Sequence, residues 1–140
     1  MRAAATLATL AVFASIATAA FAAGSASGKF CGASGCLVVP KALALPLSEQ
    51  NDIFTPAAKP RPAPYYKIVI HGTGEGHMPN RTIFWVPSKK VWFDAQDHSP
   101  YGPLQFWRTA GTDKDFPGLN VLAAKVKLYP APKHWALPHY

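Results

Sequence analysis

Tyr65-Tyr66-Lys67-Ile68-Val69-Ile70-His71 is a β-rich run, and Thr82-Ile83-Phe84-Trp85-Val86 and Val91-Trp92-Phe93 follow it closely. Gly72-Thr73-Gly74-Glu75-Gly76 parts the first two runs, and Pro87-Ser88-Lys89-Lys90 parts the second and third. β-branched and aromatic residues in short runs bounded by glycine and proline predict strands joined by hairpins. In the first run Tyr66, Ile68 and Ile70 share one face, which is the expected core face. The second run carries aromatics on both faces, so it is expected to be central and covered on both sides.

Outward from this meander, Leu104-Gln105-Phe106-Trp107-Arg108 reads as a fourth strand. Leu119, Leu122, Ala123 and Val126 follow helical spacing, and Asp115 with Pro117 supplies a start signal. Strand alternation through Leu122, Ala124, Val126 and Leu128 competes, and a helix over about 115–125 is preferred. The expected fold class is α+β: a small, mostly antiparallel sheet of about four strands with a short C-terminal helix, after an N-terminal signal helix.

Met1-Arg2 precedes an uncharged apolar run from Ala3 to Ala23, and Ala20-Phe21-Ala22 fits a small-x-small cleavage site. Residues 1–22 are therefore expected to be a signal peptide, with a membrane anchor as the alternative, and the product to be secreted or extracytoplasmic. The run holds few leucines, which weakens its drive to stay in lipid. Residues 23–64 read as a disulfide ring and proline-rich leader, 65–129 as the sheet domain with its helix, and 130–140 as an irregular tail. Cys31 and Cys36, the only two cysteines, are expected to pair in an oxidising compartment and to matter locally, at about 2 kcal/mol. Lys41 to Leu45 can form a helical turn that Pro46 should stop. Pro56, Pro60, Pro62 and Pro64 predict an extended linker.

The net charge is +7, and loss of Arg2 leaves +6. No cationic block is longer than Lys89-Lys90, so weak attraction to an anionic polymer of the cell envelope, or to a protein partner, is expected over a nucleic-acid footprint. A membrane enters only if the N-terminal segment is retained. The glycine loop has neither Rossmann nor P-loop spacing, and no motif calls for a cofactor. His71, Glu75 and His77 are types that bind zinc, but they lack the one-face spacing that makes metal motifs specific. No nucleophile elbow is present. An alternative reading is a small secreted hydrolase using a loop-bound metal or carboxylates from Glu75, Asp94 and Asp97, of which Asp94 and Asp97 are the best pair. The favoured expectation is a non-catalytic exported binding protein, with Trp92, Trp107 and Tyr65 as candidates for an exposed aromatic surface.

Overall fold

The computed structural model describes residues 25–49, 55–73, 79–97, 102–110, 116 and 118–138. The strands are β1 (Ser25–Gly32), β2 (Gly35–Val38), β3 (Tyr66–Thr73), β4 (Arg81–Val86), β5 (Val91–Gln96) and β6 (Leu104–Thr109). Helix α1 spans Lys41–Glu49 and α2 spans Leu119–Ala123. All neighbours pair antiparallel in one sheet of order β2-β1-β3-β4-β5-β6. The sheet therefore has six strands where the sequence reading expected about four. Residues 1–22, read above as a signal peptide, lie outside the described residues.

The two additional strands come from the stretch read as a leader. In β1, Ala26, Gly28 and Phe30 turn inward while Ser25, Ser27 and Lys29 face out. The period is that of a strand, but small residues carry most of the core face. Gly28 is required there: a Cβ would stand 2.5 Å from Ile70 Cδ1 and 2.8 Å from Val69 O. The Cys31–Cys36 disulfide bridges directly opposed residues of β1 and β2, so it belongs to the sheet itself.

One face of the sheet, here the first, packs Phe30, Tyr66, Ile68, Ile70, Ile83 and Trp92 beneath Leu43, Ala44 and Leu47 of α1 and Leu119 and Leu122 of α2. Burying each large apolar side chain contributes about 1.5–3 kcal/mol. Helix α1 continues through Pro46, contrary to the expected stop. Pro46 lies on the exposed side, where the carbonyl freed by its missing N–H can meet water. The C-terminal helix forms, but over five residues, and 125–128 are outside it.

The second face carries Phe84, Val86, Phe93, Ala95 and Trp107. Two extended segments cover it. Residues 55–65 run along the edge of β6, where Ala57 N donates to Trp107 O (3.0 Å) and Thr109 N to Thr55 O (2.9 Å). That pairing shields an otherwise open strand edge. Residues 129–137 follow, joined to the first segment where Tyr65 and Tyr129 exchange backbone bonds of 3.2 and 2.9 Å. The proline-rich stretch thus packs onto the sheet and does not behave as a free linker.

Candidate anion-binding face

The covering layer is built by its prolines and one tryptophan. Proline fixes φ and keeps 60–64 extended. Trp135 comes in from the C-terminal segment and donates its Nε1 to Pro60 O at 2.9 Å. Its ring sits 5.3 Å from Trp107, 5.5 Å from Tyr65 and 6.4 Å from Phe84. Apolar contact with the sheet thus holds the two segments side by side, leaving their charged side chains outward.

Between them opens a cleft of about 290 Å³, lined by Lys59, Arg61, Lys133 and His134 with Trp135 and two prolines. All four basic side chains are exposed. Strands β1 and β3 continue the charge on the same face. The register Cys31↔Lys67↔Phe84, with Lys29↔Val69 and Ser27↔His71, puts Lys29, Lys67 and His71 on the side of Phe84. The seven carboxylates of the chain are Glu49, Asp52, Glu75, Asp94, Asp97, Asp113 and Asp115. Asp94 lies on the first face, while Asp97 continues the alternation of Phe93 and Ala95 just past β5, and neither lines the cleft. Five fixed cations, Lys29, Lys59, Arg61, Lys67 and Lys133, raise a positive potential that attracts anions from solution.

Asp94 and Asp97 are both engaged in the fold. Asp94 is fully buried on the first face, bonded to Arg81 through Nε (3.1 Å) and Nη2, with Arg108 Nε at 3.5 Å. Arg81 also donates to Leu47 O at 2.5 Å, fastening the end of α1. Burial lowers the Arg108 guanidinium to about 10, Asp94 pulls it back up and Arg81 pushes it further down. It stays cationic at neutral pH and lies 4.2 Å over the Trp92 ring. Asp97 accepts from the Asn80 backbone N (2.9 Å) and Nδ2 (2.8 Å). Asp94 and Asp97 are thus committed to the fold in this structure.

Trp92, Trp107 and Tyr65 do not make the exposed platform that the strand pattern suggested. Trp92 is 0 % exposed and stacks near Phe116 at 5.3 Å; Trp107 is 9 % exposed beneath Trp135. Tyr65 is half-buried between Phe84 and Tyr129, each 5.2 Å away, and burial, then Tyr129, raises its phenol. The physical reason is that both faces are covered, the second by segments read as linker and tail. His71 is exposed on β3, while Glu75 and His77 lie outside the described residues. Among the described residues no group of three metal-ligating side chains gathers.

Sequence reasoning passed over Lys59, Arg61, Lys133 and His134. A signal for them exists: residues 53–74 and 116–140 contain no Asp or Glu. On the first face a groove of about 490 Å³ separates α1 from Phe116 and α2, apolar apart from Lys125.

No family model, curated protein or solved structure matches this chain. No described helix is long and apolar enough to cross a membrane. The formed disulfide is compatible with an extracytoplasmic setting.

Proposed function

We propose that this is a small exported, non-catalytic protein of the cell envelope that binds an anionic polymer across the second face of its sheet. The observation that carries the reading is the gathering of Lys29, Lys59, Arg61, Lys67 and Lys133 on one face, with no carboxylate among the residues that line the cleft. Lysine and arginine on rigid, extended segments suit a repeating anion, because each contributes about 1 kcal/mol at an anionic surface and the contributions accumulate. Trp135 supplies an apolar edge in the cleft against which a sugar or polyol unit can rest.

The reading is tested by retention of the purified mature protein on immobilised poly(glycerol phosphate) and on polygalacturonate, with neutral dextran as control. Retention on the anionic polymers alone, lost on raising the salt, supports it. Equal retention on dextran, or none on any polymer, overturns it.

A further inference from the structure

The turn between β1 and β2 grips the chain that leads to the cleft. Ala33 N donates to Lys127 O at 2.8 Å, and Lys127 N donates to Ser34 Oγ at 2.9 Å. The approach is close: a Cβ on Gly32 would stand 2.0 Å from Lys127 O and 2.6 Å from Val126 Cγ1. Two residues beyond this grip, Tyr129 pairs with Tyr65, and six further on Trp135 seats against Pro60. Lys133 and His134 lie between those two anchors, so their position opposite Lys59 and Arg61 depends on where the 126–137 segment is held.

What holds the grip is the disulfide. Strand β2 is four residues long, pairs among the described strands with β1 alone, and is exposed apart from a half-buried Leu37. An edge hairpin of that size is marginal by itself. Cys36 is an exposed residue, and a disulfide is reduced by attack of a thiolate on one of its sulfurs.

We propose that the Cys31–Cys36 disulfide is a redox-sensitive latch on the anion-binding cleft. A dithiol reductant gives two electrons and two protons, the S–S bond becomes two thiols, and the reductant becomes its own disulfide. The β1–β2 turn then frays, Ala33 and Ser34 release Lys127, and the 126–137 segment moves away from Lys59 and Arg61. Tyr66 remains as a second anchor through its hydroxyl bonds to Ala123 O (3.0 Å) and Val126 O (3.2 Å), so the sheet stays folded while the cleft loosens. The functional half of this inference rests on the anionic-polymer reading; the structural half does not.

The test compares the oxidised protein with the same protein reduced by a dithiol, following amide and indole hydrogen exchange together with affinity for poly(glycerol phosphate). Reduction is expected to speed exchange at Lys127, Tyr129 and the Trp135 indole at least tenfold, with Ile68 and Ile83 unchanged. Polymer affinity should fall about tenfold, the effect of losing two ordinary hydrogen bonds from the cleft-holding state. Ser34→Ala, with the disulfide intact, should give a smaller shift in the same direction. Unchanged exchange at Lys127 and Tyr129 overturns the latch, and faster exchange with unaltered, measurable affinity overturns its link to the cleft. If the oxidised protein binds no polymer, the polymer reading fails, and exchange at Lys127 and Tyr129 still decides the latch.

Discussion

Arg81 and Asp94 lie diagonally across β4 and β5 and close a two-bond ion pair with both side chains fully buried. The pair joins the sheet to α1, since Arg81 also holds the Leu47 carbonyl. A buried pair of this kind gives little over an apolar substitute, but removing one partner is costly. Asp94→Ala strands Arg81 and Arg108 together in the core. It should cost about 3–5 kcal/mol in urea unfolding. Arg81→Met with Asp94→Leu should recover much of that loss. A single-substitution cost below about 1 kcal/mol would show that the cluster is solvated in solution.

Tyr66 makes stability sensitive to alkali. Burial raises its phenol above the ordinary value of 10.0, and its hydroxyl donates to two carbonyls. A raised acid is stabilising while protonated, so the contribution is whole below pH 10 and is lost as pH climbs through the higher folded value. Tyr66→Phe should lower stability at pH 7 by about 1 kcal/mol. It should also flatten the fall in stability above pH 10. An unchanged alkaline slope in thermal scans of the variant would place the titration elsewhere.

Much of the sheet is legible in the sequence, because β3 to β6 are written in β-branched and aromatic residues with clear period-two alternation. The central place of β4 is legible too, since Phe84 and Trp85 point to opposite faces and both need cover. The β1 strand is not, because Ala26 and Gly28 fill core positions that a hydrophobicity pattern does not flag. The packing of 55–64 is hidden for a different reason: proline reports an extended backbone, and only the distant Trp135 decides whether that backbone is free or seated. For the candidate site, the cations are visible as residues, but their grouping depends on the Tyr65–Tyr129 bridge across 64 positions of sequence.

Lys90 closes the β4–β5 turn at φ 53°, with its N–H on Pro87 O at 3.1 Å. A left-handed backbone costs a residue with a Cβ about 1–2 kcal/mol, and glycine avoids most of it. Lys90→Gly should therefore raise stability by about 0.5–1 kcal/mol, read as a rise in Tm, since the side chain is exposed.

Trp107 is the plate on which Trp135 rests. Trp107→Ala empties a buried aromatic site and should cost about 3–5 kcal/mol. Exchange of the Trp135 indole proton should rise more than that of sheet amides in β3. A variant of near-native stability would mean that Trp107 is exposed in solution, as the strand pattern by itself had suggested.

The account turns on whether the second face binds anions, and isothermal titration of poly(glycerol phosphate) into the triple variant Lys59→Gln, Arg61→Gln, Lys133→Gln tests this most directly. All three side chains are exposed, so Tm should stay within a few degrees of wild type. At about 1 kcal/mol each, their loss should weaken binding on the order of 100-fold at low salt and reduce its salt dependence. Wild-type affinity in the folded triple variant, with an unchanged salt slope, would contradict the assignment of this face.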